Sequence, residues 1–120
     1  MPLPASPTCR AFRALADPTR LRLLALLDSD ELSVHELQEI TRMGQSRIST
    51  HLGLLQDTGL LQSRRQGKRT LYRRPTDPGQ TVGEMTRLAN AAARELPEYA
   101  ADRVNLRRIL QLRQEQDQVF

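Results

Sequence analysis

The sequence predicts a mainly helical domain that carries one small β-hairpin. Three observations lead there. Helix-start signals followed by apolar stripes recur along most of the chain. One short segment, just after a glycine, is apolar on one side and polar on the other. Two short basic segments around a Gly67-Lys68 pair follow it directly. Helix, turn, helix and then a basic ribbon is the order of a winged helix-turn-helix, here α-α-α-α-β-β-α-α.

The elements follow in turn. Residues 9–16 suit a short helix with Phe12, Leu15 and Ala16 as its buried side. Asp17-Pro18 then starts a helix, because Asp caps well and Pro is favoured at the first helical position. Leu21, Leu24, Ala25 and Leu27 form its stripe, which ends near residues 28–30. Ser33 and Glu36 make a capping box, each satisfying a free backbone N–H, and Val34, Leu37 and Ile40 face inward behind it. Gly44 permits a sharp turn. Residues 45–58 form the next helix, with Ile48, Leu52 and Leu55 on one stripe, and Gly59 stops it. Residues 60–66 and 69–74 read as strands anchored by Leu61, Leu71 and Tyr72, their arginines pointing outward. Pro75, Pro78 and Gly79 mark a boundary. A helix over residues 79–95 and a last one over 98–118 complete the chain, with Leu96-Pro97 between them.

Composition narrows the class. The chain has 120 residues, which suits one domain. Aromatic residues make up 3% of it, so the core falls to Leu, Ile, Val, Met and Ala. Cys9 is the single cysteine, which excludes an intrachain disulfide and suits a reducing cytoplasm. No apolar run approaches the ~20 residues of a membrane span. Residues 1–8 are proline-rich and read as a disordered lead-in. Residues 9–95 are expected to form the DNA-binding and dimerisation domain, and residues 96–120 a C-terminal helix or linker.

Charge points to the partner. From Arg42 to Arg74 there are eight basic residues against one acid, Asp57, inside acidic flanks. Such a middle suits a polyanion. A recognition helix needs an apolar seat and an outer face of short polar and basic side chains. Gln45, Ser46, Arg47, Ser49, Thr50 and His51 supply that face. Gln pairs with adenine edges and Arg with guanine edges. Arg64, Arg65, Lys68 and Arg69 on the hairpin would grip the phosphate backbone, giving affinity rather than sequence choice. The expected partner is double-stranded DNA.

These residues carry a resemblance. Phe12-Arg13-Ala14-Leu15-Ala16-Asp17-Pro18 resembles the opening of the ArsR/SmtB family of regulators. Gln45-Ser46-Arg47-Ile48-Ser49-Thr50-His51-Leu52 resembles that family's recognition helix, and Gly67-Lys68-Arg69-Thr70-Leu71-Tyr72 its wing. The resemblance implies a homodimer on an imperfect palindrome, repressing transcription until an unknown small inducer arrives. It joins the protomers through the first helix and the helix after the wing, at Phe12, Val82, Met85, Leu88, Ala89 and Ala92. Metal-sensing members carry Cys-x-Cys where Ser33 and His35 stand here, or histidines on the helix after the wing, where residues 79–95 have none. No metal and no cofactor is therefore expected. Ser33 reads as a cap, His35 as a surface residue, and Met43 and Met85 as packing. Residues 95–110 resemble the linker of members that continue into an S-adenosylmethionine-dependent methyltransferase. The alternatives are thus a docking module of such an enzyme or a metal-responsive sensor of the same fold. No supported catalytic set is visible in the chain itself, so an enzyme is not expected.

Overall fold

Asp17 opens the helix on which the rest of the fold packs. A computed structural model describes residues 6–118; the start of the expected lead-in and Phe120 lie outside them. Helix α2 (Pro18–Leu26) begins where the Asp17 carboxylate accepts from the Arg20 N–H at 3.1 Å. Leu23, Leu24, Ala25 and Leu26 are buried in succession. That unbroken run of buried side chains places the second half of α2 in the middle of the core. Each fully buried leucine there contributes about 1.5–3 kcal/mol.

Helix α1 (Pro7–Leu15) packs on α2 and starts earlier than expected. Ser6 caps it by accepting from the Cys9 N–H, and Pro7 needs no partner at the first position. Residues 7 and 8 are thus helix rather than lead-in. Its buried side is also corrected. Ala11 and Ala14 face the core, while Phe12 is 53% exposed and Ala16 is exposed. Small alanines let the two helices approach closely, and Phe12 lies one step round the helix from that contact.

The capping box at Ser33 is present, with both reciprocal bonds, and opens α3 (Val34–Thr41). The turn after α3 differs from expectation. Arg42 takes the left-handed conformation at φ 64°, and Gly44 is extended at φ −72°. Helix α4 (Gln45–Asp57) follows, and Gly59 at φ 79° ends that segment as expected. Leu60 and Leu61 are both buried, so the hairpin's strand pairing starts only at Gln62.

The sheet has one strand more than the sequence suggested. Leu32–Ser33 forms β1, too short to show any periodicity. With β2 (Gln62–Gln66) and β3 (Arg69–Arg73) it makes an antiparallel sheet of order β1-β3-β2. Leu32 pairs with Tyr72 and Ser33 with Leu71. The wing is therefore stitched to the residues that lead into α3.

Helix α5 (Gln80–Ala93) lies against α2. Met85 and Ala89, expected between protomers, are 2% exposed within this protomer's own core. The stripe is real, but α2 already covers that part of it. Helix α6 (Tyr99–Gln118) packs on α2 and α3 and adds Leu106 and Ile109 to the same core. Of the two expectations for residues 96–120, a C-terminal helix or a linker, it is the helix that forms. Arg22 donates to both oxygens of buried Asp102, at 2.8 and 2.9 Å. Arg103 donates to the Ala25 carbonyl and Asn105 to the Ile40 carbonyl, near the ends of α2 and α3. Among the described residues no helix is long and apolar enough to cross a membrane.

The Arg22–Asp102 pair yields a prediction. Asp102→Ala leaves a largely buried guanidinium unpaired, which costs about 3–5 kcal/mol. Urea unfolding should show the lower midpoint with an unchanged slope. A loss below about 1 kcal/mol would mean that water replaces the carboxylate.

Candidate nucleic-acid interface

Ile48, Leu52 and Leu55 seat α4 in the core. That leaves Gln45, Ser46, Arg47, Ser49 and Thr50 on the exposed side. No side chain caps the start of α4, because Gly44 occupies the cap position. Its first N–H groups stay free for an anion.

Two residues of this face are also held from α2. Arg47 donates through Nη2 to Thr19 Oγ1 at 2.9 Å. Arg20 Nη1 lies 3.2 Å from His51 Nδ1. A guanidinium only donates, so in this contact Nδ1 accepts, which leaves Nε2 as the donor of the ring. Arg20 Nε also donates to the Ala14 carbonyl at 2.5 Å. One arginine thus ties α4 to the end of α1. Arg47 and His51, both expected on the DNA-facing side, thus each also make a positioning contact with α2.

The wing is divided. Arg64 pairs with Leu71 across the ribbon and Arg65 with Thr70, so the two arginines point to opposite faces. Arg64 is engaged: it donates to both oxygens of Glu31, at 2.8 and 2.6 Å. That hydrogen bond holds the Glu31 carboxyl below its ordinary range. Arg65, Lys68 and Arg69 are exposed and form no ion pair among the described residues. Gly67 at φ 63° makes the turn between them. Arg74 does not point outward as expected. It donates to the Leu24 carbonyl, to Asp28 at 3.0 Å and to Asn90. Burial pulls its pKa down.

Glu31 and Glu36 link the wing to α6. Arg113 Nη2 donates to Glu36 Oε2 at 2.6 Å and to the Glu31 carbonyl at 3.1 Å. Glu36 Oε1 meanwhile accepts from the Ser33 N–H at 2.9 Å. Burial pushes the Glu36 pKa up, but Arg113 and the Ser33 N–H outweigh it and the net shift is downward. No local sequence signal reveals this bridge, because its members lie far apart in the chain.

Helix and wing meet. Gln45, Lys68, Arg69 and Thr70 line one groove of about 370 Å³, closed behind by Ser33 and Gln38. The polar helix start and the cationic ribbon tip therefore share one surface. Among the described residues no three His, Cys, Asp or Glu side chains cluster to hold a metal.

Known proteins are similar to this chain in sequence and fold. The profile described as "Bacterial regulatory protein, arsR family" covers residues 17–63, from α2 into β2. Reduced HlyU from Vibrio cholerae N16961 is 30% identical, with a TM-score of 0.60 over 69% of this chain and 84% of that one. The chain belongs to the arsR family. A homodimeric winged helix-turn-helix domain from Mycobacterium bovis, described as a possible ArsR-family transcriptional regulator, is 29% identical. Its TM-score is 0.62 over 82% of this chain and 95% of that one. A "Probable mercury resistance operon repressor" of Streptomyces lividans is 46% identical over 65 residues, 54% of this chain and 52% of that protein. The chain thus spans about half the length of that curated relative.

The Glu36 bridge gives a pH prediction. A carboxyl held below its ordinary range stabilises the fold fully above that range, and the contribution fades as pH falls through the lowered value. Glu36→Gln should therefore flatten the fall in stability under acid. Urea midpoints collected from neutral pH downward test this. Parallel curves for the two proteins would show that the pair contributes nothing.

Proposed function

We propose that this arsR-family member is a homodimeric, sequence-specific DNA-binding regulator that represses transcription, not an enzyme. The single observation that carries it is the shared groove of the α4 start and the wing tip. Gln45, Ser46, Arg47, Ser49 and Thr50 would face base edges in the major groove. Arg65, Lys68 and Arg69 would reach the neighbouring phosphates. His51, with Nδ1 engaged by Arg20, has Nε2–H left to offer a phosphate. Arg64 is assigned to the wing's own architecture instead, because Glu31 neutralises it.

A palindromic site follows from dimerisation, with half-sites about 34 Å apart. Support for a dimer comes from the homodimeric Mycobacterium bovis domain and from large exposed apolar side chains. Phe12 on α1 and Leu88 on α5, 53% and 63% exposed, are the proposed anchors. Val82 and Ala92 are half-buried beside them on α5. Such a regulator works where the bacterial chromosome lies, in the cytoplasm.

Two measurements test the reading. Affinity for a DNA site selected from random sequence is followed by fluorescence anisotropy across a salt series. The triple change Arg65→Ala, Lys68→Ala and Arg69→Ala should weaken binding to every sequence. It should also flatten the log–log salt slope by about 0.9 for each phosphate that is no longer neutralised. Arg64→Ala alone should leave the slope nearly unchanged. A slope that the triple change does not move would remove the wing from the interface. For the dimer, Leu88→Glu should give a monomer in sedimentation equilibrium. A variant that still sediments as a dimer places the interface elsewhere.

A further inference from the structure

We propose that the groove between α3 and α6 binds a small amphipathic carboxylate, an organic acid with an apolar tail or ring. The groove holds about 550 Å³ and is lined on one side by Gln38, Arg42 and Met43 and on the other by Asn105, Arg108 and Ile109. Ligand pockets usually span roughly 300–1,000 Å³. It adjoins the α4–wing groove, sharing His35 and Gln38 with it, but opens towards α6 rather than towards the wing.

Its floor and rim differ in character. Met43 and Ile109 are apolar, and Leu112 stands at the edge 46% exposed. That gives a short tail something to cover. Two guanidiniums stand over the floor. Arg42 is exposed and has no ion-pair partner among the described residues. Its backbone is left-handed at φ 64°, a conformation that costs any residue with a Cβ and usually falls to glycine. That conformation closes α3, where Arg42 is the C-cap and its N–H donates to the Gln38 carbonyl.

Arg108 is aimed. Asn105 Nδ2 donates to the Ile40 carbonyl at 2.9 Å, which fixes the carboxamide. Asn105 Oδ1 then accepts from Arg108 Nη2 at 2.9 Å. Asn105 takes one hydrogen of Nη2; Nε, Nη1 and the second Nη2 hydrogen have no partner among the described residues, which leaves one of the two guanidinium forks to meet an anion. His35 and Glu39 also line the groove and meet each other at 2.8 Å, so Glu39 is the single carboxylate against the two guanidiniums. The balance is cationic above an apolar base. A planar carboxylate is the head that a guanidinium receives with two parallel bonds.

The occupant would touch the turn that sets α4. The Met43 N–H donates to Thr41 Oγ1 at 3.3 Å, and Gly44 next to it is the α4 cap residue. A tail pressed on Met43 therefore bears on the angle of the recognition helix. This regulatory half rests on the DNA-binding reading above; the binding half does not.

The probe is decanoate, with decanol as its uncharged counterpart. Amide shifts in a ¹⁵N–¹H correlation spectrum are followed during titration of the intact chain. The expected result is saturable shifts at Gln38, Arg42, Met43, Asn105 and Leu112, with decanol binding far more weakly. Arg108→Gln, an exposed change, should weaken decanoate roughly tenfold or more while the spectrum stays folded. Shifts centred on Phe12 and Leu88, equal binding of decanol, or unchanged affinity in the variant would overturn the site. In a second arm, saturating decanoate should change DNA affinity several-fold in the native chain and not in Arg108→Gln. Unchanged DNA affinity with the groove filled would overturn the effector role. Failure to bind any DNA would instead refute the regulator reading, with the shift map still deciding the groove.

Discussion

The burial of the second half of α2 on all sides is the constraint from which the rest follows. A helix with leucine or alanine at four consecutive buried positions must be surrounded, and α1, α4, α5 and α6 all lie against it. Its polar side chains, Thr19, Arg20 and Arg22, all lie in its first half. At the start, Thr19 and Arg20 hold Arg47 and His51 of α4. Further along, Arg22 takes Asp102 of α6, and the Leu24 and Ala25 carbonyls accept from Arg74 and Arg103. One apolar rod thus fixes the reading helix at one end and the two C-terminal helices at the other. Contacts of this kind are directional, so the angle of α4 is set by geometry and not by apolar packing alone.

The basic middle of the chain is less uniform than its composition suggests. Arg64 and Arg74 meet Glu31 and Asp28, acids supplied from the loop after α2. What remains for a polyanion is concentrated at the wing tip and the outer side of α4. Pinning some cations lowers the diffuse positive field while leaving the local one intact, which favours a defined contact over loose attraction.

Much of this was legible because the signals are local. Asp17-Pro18, the Ser33–Glu36 box, Gly59 and Gly67 each declare a helix start, a stop or a turn within a few residues, and each stands where expected. The stripe on α5 was equally visible. A stripe says that a face is covered but not by what, and Met85 and Ala89 turned out to meet α2 rather than a second chain. The two-residue β1 had no period to read. The turn after α3 was misplaced because glycine marks where a left-handed residue is easy, while Arg42 takes it here. The partners of Arg64, Arg113 and His51 lie tens of residues away, beyond any local pattern.

The two faces of the hairpin carry an evolutionary consequence. Because neighbouring strand residues alternate sides and the Gly67 turn fixes the register, adding a single amino acid between Arg65 and Gly67 would swap the two arginines. The one now bound to Glu31 would swing free, and its neighbour would take the acid. Insertions and deletions in this strand should therefore be tolerated by parity, two at a time, or else with a bulge that restores the phase.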